Sequence, residues 1–380
     1  GVRGSGKYFL LNLCRDYLVT QGVAAENSIY YNFEGVELVQ IRTVAQLQAL
    51  LAEKLDPQAF QYVMLDEIQL VTGWQAVVNG VRTSFNGEIL ITGSNAKLLS
   101  GELATLLSGR YVEIQVQPFS FSEYLTTRQI AANSPAVYSA FTDYEKFGGF
   151  PAVVLADDAI KDTMLSGIYD SIILNDVALR TQIRDTEILK AVVSYLADNI
   201  GQLVNPTKIA NTLKSVGFKT SPHTIASYLA ALENAFLFYR ARQYDIRGRD
   251  YLRTAGKYYI ADSGLRRIGV DRKQGNYAGQ LENIIYLELI RRGFQVVVGK
   301  LLTKEIDFVA RKADQTLYVQ ASYEVPDNTH ETDNLLQIPD NYQKIMLVQR
   351  YYPDLHAIDG IPVLNVADWL LGSEKNNQLS

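Results

Sequence analysis

Along the first third of the chain the spacing of apolar and polar positions changes period several times, and each change marks an element. In LLNLCRDYLV, residues 10–19, apolar side chains recur at helical spacing, which predicts a helix. SIYYNF at 28–33 is an aromatic and β-branched run, which predicts a strand. AQLQALLAEKL at 45–55 returns to a helical pattern. In QYVMLDEIQ at 61–69, Tyr62 to Leu65 run without a polar break into Asp66 and Glu67, as a strand buried on both faces would. GEILITGSN at 87–95 predicts a third strand ending in Ser94 and Asn95, and RYVEIQV at 110–116 is a fourth candidate. Helices and strands alternating in this way predict an α/β fold with a parallel sheet wrapped by helices.

From about Phe121 to Asp185 the pattern is mostly helical, interrupted by GGFP at Gly148 to Pro151, which must turn the chain. This stretch reads as a lid or linker. ILKAVVSYLADNIG, NPTKIANTLKSVG and SPHTIASYLAALENA then predict three helices, with Pro206 and Pro222 near starts and Gly201 and Gly217 near ends. FLFYRARQYD and GKYYIADSG alternate like a hairpin. Three helices and a hairpin make a winged helix, whose third helix often enters a DNA major groove. The last segment predicts a helix in ENIIYLELIRRGF and strands in EIDFVARK and TLYVQASY. The expected divisions are 1–125, 126–185, 186–268 and 269–380.

Composition narrows the classes. At 380 residues, with 47% hydrophobic and 20% charged positions, the chain is long enough for two or three globular domains. No run of about 18 apolar residues predicts a bilayer span, so a soluble protein without a membrane partner is expected. The lone Cys14 excludes an internal disulfide; among Leu10, Leu11 and Leu13 it reads as a core residue, in keeping with a reducing cytoplasm. His223, His330 and His356 lie far apart and offer no zinc spacing, and His223 reads as a helix-start residue. A net charge of −5 argues against a globally basic nucleic-acid binder. Locally, Arg240 to Lys273 carries ten Lys and Arg against four Asp, which points to contact with DNA phosphates. The third helix is poor in arginine, and its Ala226, Leu229, Ala230 and Leu232 suit packing at least as well.

The chemistry lies chiefly at the ends of the first predicted elements. In GVRGSGKYFL, Gly1, Gly6 and Lys7 fit the phosphate-binding pattern G-x-x-x-x-G-K-[ST], with Gly4 and Ser5 inside the loop. Tyr8 stands where a serine or threonine hydroxyl would bind Mg²⁺, and a phenol on a longer ring cannot take that place. No strand precedes the loop, and the chain lacks an initiator methionine, so a missing segment is expected there. Backbone N–H groups at a helix N-terminus form an anion nest, and Lys7 adds a point charge for the β and γ phosphates. Asp66 can hold Mg²⁺, Glu67 can polarise an attacking water, and Ser94 or Asn95 can orient it. Arg110, in LSGR, can stabilise charge on a neighbouring subunit's nucleotide, which implies a homo-oligomer. A glycine loop alone is common; its conjunction with a strand ending in DE and a strand ending in a polar pair points to ATP or ADP binding.

The runs GVRGSGK, YVMLDEIQLVTGWQ, ILITGSNAKLLSGELATLLSGRYVEIQVQPFSFSEYL and YEKFGGFP resemble the prokaryotic AAA-type ATPases that carry a carboxy-terminal domain of unknown function. LLQIPDNYQKIMLV and DGIPVLNVADWLL resemble that family's tail. The resemblance implies that Lys7 is the Walker A lysine, Asp66 and Glu67 the Walker B pair, Ser94 or Asn95 the sensor and Arg110 the arginine finger. The last segment is similar to nucleases of the PD-(D/E)XK fold, where a helix glutamate, a strand aspartate and an E-x-K pair assemble a Mg²⁺ site. Glu282 and Asp307 match, whereas the final motif reads Gln320-Ala321-Ser322, so the nuclease site is degenerate. Cleavage would need a lysine from outside the motif, with Lys304 and Lys312 as the candidates. The expected activity is Mg²⁺-dependent ATP hydrolysis coupled to a winged-helix and nuclease-like region. The alternative is a nucleotide- and nucleic-acid-binding module with both centres impaired.

Overall fold

The structure is a computed structural model that describes residues 1–96, 111–183, 185–270, 277–325 and 330–372. The chain divides into two compact units, one of residues 1–116 with 234–236, the other of 117–233 with 237–380.

In the first unit α1 (Lys7–Thr20), β1 (Ser28–Asn32), α2 (Val44–Ala52), β2 (Gln61–Asp66) and β3 (Gly87–Ile91) follow the expected order, with α3 (Trp74–Ser84), which has no counterpart among the expected elements, between β2 and β3. The strands form a parallel sheet ordered β1-β2-β3. Tyr31 lies opposite Leu65, and Leu65 opposite Ile91, so the three carboxyl ends line up at one edge. Val63, Met64 and Leu65 are at most 1% exposed, and burial of side chains of this size stabilises by about 1.5–3 kcal/mol each. Phe33, Leu47, Leu51 and Trp74 complete the core around them. α2 begins with a capping box: Thr43 accepts from the Gln46 N–H while the Gln46 side chain returns to the Thr43 N–H.

The expected fourth strand does not form. Residues 111–116 make no ladder, and Val112 and Ile114 are 88% and 75% exposed. Among the described residues their β-like alternation lacks a neighbouring strand to supply cross-strand packing. The Val116 carbonyl instead lies beside Gly1, where an added Cβ would come within 1.8 Å of it.

The second unit opens with α4 (Phe121–Thr127), α5 (Ala136–Phe147), α6 (Pro151–Val154) and α7 (Asp158–Ser171), the last running into a π-helical stretch, Ile172–Leu179. GGFP makes the turn between α5 and α6. Gly148 has φ +74°, and a Cβ there would reach within 1.8 Å of the Asp262 carboxylate. That carboxylate accepts from the Gly149 and Gly264 N–H groups at 2.7 and 2.8 Å.

Next come α8 (Thr186–Asp198), α9 (Pro206–Ser215), α10 (Pro222–Asn234) and the antiparallel pair β4 (Phe238–Asp245) and β5 (Asp250–Ile260). Pro206 and Pro222 are the first helical residues; Asn205 caps the Lys208 N–H and Ser221 the Thr224 N–H. Ile225, Tyr228, Leu229 and Leu232 face the core from α10, while Ala226 and Ala230 are exposed.

After α11 (Ser263–Gly269) and α12 (Tyr277–Arg291) follow β6 (Gln295–Leu301), β7 (Lys304–Lys312), β8 (Gln315–Ser322), α13 (His330–Leu336), β9 (Gln343–Val348), β10 (Ala357–Ile358), β11 (Ile361–Asn365) and α14 (Val366–Leu370). The strands β4–β11 form one sheet ordered β10-β11-β9-β8-β7-β6-β4-β5. β6 has no counterpart among the expected elements. It joins the hairpin to the later strands, pairing in parallel with β4 and antiparallel with β7. The hairpin expected as a wing is therefore continuous with the sheet of the carboxy-terminal strands, although the expected division at 268 lies beyond it.

Candidate nucleotide site and a carboxylate cluster

The glycine loop leads directly into α1. Gly4 and Gly6 sit at φ +81° and +98°, a region that costs other residues about 1–2 kcal/mol. Lys7, the first helical residue, is buried, and its Nζ donates to the carbonyls of Gly1 and Val2 at 3.0 and 2.9 Å. Ser5 is also buried, and its Oγ is without a hydrogen-bond partner among the described residues. A loop of positive-φ glycines, a buried hydroxyl with no hydrogen-bond partner among the described residues and a buried lysine ammonium has the donors a phosphate chain requires.

Asp66 closes β2, and Glu67 follows it in left-handed backbone geometry at φ 54°. A non-glycine residue held there is strained, a condition that recurs at functional sites. The turn is fastened from β3: the Thr92 hydroxyl donates to Asp66 Oδ1 and accepts from the Glu67 N–H at 3.1 Å. Tyr30, from β1, donates its hydroxyl to Asp66 Oδ2 at 3.1 Å. Burial, more than the Asp66 charge, raises the Tyr30 phenol and keeps it a donor. The Glu67 carboxyl accepts from the Gln69 amide, and the Ser94 hydroxyl lies 3.5 Å from it. Burial raises the Glu67 carboxyl, opposed by the Lys7 charge and the Gln69 amide.

Ser94 is thus the member of the expected sensor pair that reaches Glu67, while Asn95 follows half-buried. Arg110 lies outside the described residues. The Tyr8 ring is 48% exposed, stacked edge-on with Phe9 and Tyr30. The short hydroxyl expected after Lys7 is absent, and the hydroxyls on Asp66 come instead from Tyr30 and Thr92, which the sequence reading did not single out. Both follow from strand register, since Tyr30 is two residues from the end of β1 and Thr92 immediately follows β3.

In the second unit the structure brings Glu282, Asp307 and Gln320 together from α12, β7 and β8. The Asp307 N–H donates to Gln320 Oε1 at 3.4 Å, and Asp307 Oδ2 accepts from the Ala321 N–H at 2.9 Å. Between the carboxylates lies an ammonium the sequence reading counted only as one of ten basic residues. Lys257 of β5, 1% exposed, donates to Glu282 Oε2 at 2.9 Å, Glu305 Oε1 at 2.8 Å and Asp307 Oδ1 at 3.4 Å. Tyr259 lies on the same strand face, two residues on, and donates to the same Glu282 oxygen at 3.0 Å.

Burial by itself would lower the Lys257 ammonium; Asp307, Glu282 and Glu305 together outweigh it and hold the group charged. Burial first, then the Asp307 charge, raises the Glu282 carboxyl. The expected replacements do not take this place. Lys312 donates to the Arg292 carbonyl at 2.7 Å, and Lys304 stands at the turn end of β7, paired with Leu301.

Part of the basic segment is turned inward. Besides Lys257, Arg266 is buried against the Ala197 carbonyl and Gln280, and Arg267 forms a two-point pair with Asp162. Arg242, Arg247 and Arg249 are exposed, as are Lys214 and Lys219, which line an open hollow with Ser221 and Thr224 at the start of α10. Among the described residues no helix is long and apolar enough to cross a membrane.

Comparison with known proteins matches two parts of the chain. Residues 1–125 match the family described as an AAA domain, and residues 138–274 match a domain of unknown function. The chain is 58% identical over 372 residues to an uncharacterized protein of Haemophilus influenzae, an alignment covering 98% of this chain and 93% of the relative. It is 31% identical over 347 residues to an uncharacterized protein of Methanocaldococcus jannaschii, covering 88% and 76%. Among solved structures, a Walker-type ATPase of Pyrococcus abyssi aligns over 71% of this chain and 89% of its own, at 15% identity and a TM-score of 0.47.

Proposed function

The chain belongs to one family with its Haemophilus influenzae and Methanocaldococcus jannaschii relatives and carries an AAA domain, and on that premise we propose that it binds and hydrolyses ATP. The observation that carries this reading is the loop at the start of α1: Lys7 rests on main-chain carbonyls, close in fold order to Asp66 and Glu67 at the end of β2. Lys7 exchanges those carbonyls for the β and γ phosphates, while the N–H groups of Gly4 to Lys7 and the Ser5 hydroxyl cradle the chain's oxygens. Asp66, with the Tyr30 and Thr92 hydroxyls around it, is the residue that would hold Mg²⁺, which when bound neutralises charge on the phosphate oxygens. Glu67 polarises the attacking water, and Ser94 fixes the Glu67 carboxylate. Arg110 is assigned to a neighbouring subunit's nucleotide, which makes the active species an oligomer.

ATP affinity and Mg²⁺-dependent phosphate release, measured side by side on the full chain, test the reading. Release that vanishes in Lys7→Ala and Glu67→Gln supports it. Tight binding without release, with release appearing in Tyr8→Thr, favours the second reading: a nucleotide-binding module that lacks a Mg²⁺-ligating hydroxyl. Tyr8 is the observation behind that second reading.

For the second unit we propose a winged helix formed by α8–α10 with β4 and β5, fused to a nuclease-like sheet whose cleavage site is degenerate. Two features support the winged helix: the order of its elements, and the bridge between Val204, ahead of α9, and Gly256 on β5. DNA is the partner assigned to the exposed Arg242, Arg247, Arg249, Lys214 and Lys219. A steep loss of DNA affinity between 50 and 200 mM salt, reduced in Arg247→Ala/Arg249→Ala, is the expected result; affinity independent of salt removes DNA as the partner. A reducing cytoplasm is the compartment that suits the lone Cys14.

A further inference from the structure

We propose that the Lys257 ammonium is the built-in cation of the carboxylate cluster on α12 and β7, so that the second unit holds this site without a divalent metal, and that removing the amine opens a divalent-cation site there. The geometry comes from three directions. Nζ sits 2.9 Å from Glu282 Oε2, 2.8 Å from Glu305 Oε1 and 3.4 Å from Asp307 Oδ1. An ammonium has three N–H donors and no acceptor, so three surrounding carboxylate oxygens use its full capacity.

The carboxylates are engaged on their other sides as well. Asp307 Oδ2 accepts from the Ala321 N–H, and Glu282 Oε2 shares the Tyr259 hydroxyl. A hard divalent cation takes the same kind of oxygen ligands at about 2.0–2.6 Å, so it would have to occupy the volume Nζ fills. Two cations side by side in a buried site repel strongly, so the amine and a metal exclude one another. The lysine is also fixed in place. Lys257 is paired with Ala241 across the β4–β5 ladder, its side chain is 1% exposed, and a one-residue shift of β5 would turn it to the opposite face. The cluster therefore takes its cation from a residue of the hairpin, far in sequence from Glu282 and Asp307.

Mn²⁺ uptake by the nucleotide-free full chain, followed by electron paramagnetic resonance, tests this. Asp66→Asn is carried throughout so that the first unit contributes no carboxylate at that position. With Lys257 present, the expected result is no saturable Mn²⁺ binding. With Lys257→Ala, the expected result is one Mn²⁺ per chain, abolished by adding Asp307→Asn, together with a Tm that Mn²⁺ raises in the Lys257→Ala protein alone. Saturable Mn²⁺ binding in the Lys257 protein that Asp307→Asn removes would overturn the proposal. So would a folded Lys257→Ala protein that takes up no Mn²⁺. If Lys257→Ala does not fold even with Mn²⁺, Lys257→Gln, which keeps most of the stem without the charge, is titrated in its place; uptake supports the proposal and its absence overturns it.

Discussion

Lys7 and Lys257 are both buried ammonium groups beside acidic residues, yet Lys7 donates to neutral carbonyls and Lys257 to carboxylates. Lys7 is hydrogen-bonded to two main-chain carbonyls, whereas Lys257 is hydrogen-bonded to three carboxylates. A carbonyl is a neutral acceptor that a phosphate oxygen can outbid, because hydrogen bonds between ionised partners are about twice as strong. A carboxylate already has the full charge, so a phosphate has nothing to gain by displacing it. The first arrangement suits a lysine that must be recruited by a ligand, and the second a lysine that must stay. The acidic partners differ correspondingly: Asp66 is held by the hydroxyls of Tyr30 and Thr92.

The largest expected effect separates the two lysines by stability. Lys257→Met leaves three carboxylates around an apolar stem, and breaking a buried ion pair from one side costs about 3–5 kcal/mol. Urea unfolding monitored on the second unit should show that loss, and a change below about 1 kcal/mol would mean the ammonium is dispensable. Lys7→Ala should leave the same unfolding curve in place. Its effect belongs to ATP affinity, which should fall by roughly 30- to 150-fold, the worth of about 2–3 kcal/mol for a charge-assisted contact. An affinity within threefold of the parent would remove Lys7 from the phosphate site.

Glu67→Gln probes the carboxylate that meets the Gln69 amide and the Ser94 hydroxyl. Phosphate release should drop by about 10²–10⁴-fold with ATP affinity little changed, as expected for loss of a general base. Equal losses in both quantities would instead assign Glu67 to binding.

The smallest effect concerns a third buried acid. Glu145 meets the neutral amide of Gln349 at 2.7 Å, and burial pushes its carboxyl up to about 7 against the favourable pull of that amide. A carboxyl raised on folding contributes stability that is complete below its unfolded value near 4.5 and is lost as pH rises through about 7. Glu145→Gln should therefore stabilise the protein at pH 8 by about 1–3 kcal/mol relative to the parent and flatten the decline between pH 5 and 8. The buried Gln349 Oε1, which has no hydrogen-bond partner among the described residues, would also gain a donor. An unchanged pH profile would show that Glu145 is ionised without penalty.

The contrast also explains what was legible in the sequence. The carboxylates at the end of β2 could be read because an unbroken apolar run has few alternatives to a buried strand, and its last residues then fall at the sheet edge where ligands bind. Glu282 and Asp307 could be named through the resemblance of the last segment to a nuclease fold. Lys257 could not, since its role depends on β5 lying in the same sheet as β7, separated by β4 and β6. Strand periodicity does place Lys257 and Tyr259 on one face, a lysine among aromatics in an otherwise inward pattern, and that was the available signal. Residues 111–116 illustrate the reverse failure: the alternation suits a strand, but a strand needs a neighbour, which local pattern cannot supply.

The pairing of β4 with β6 limits how the protein can be cut. A fragment ending ahead of Gln295 would present the β4 residues Gln243 to Asp245 with their outer hydrogen-bonding groups unmatched, on a strand that the complete chain keeps inside the sheet. Such an edge is a template for another copy's strand. A shortened version ending near residue 270 would tend to assemble through β4 and precipitate, so recombinant work on the helices and hairpin should retain the chain at least through Leu301.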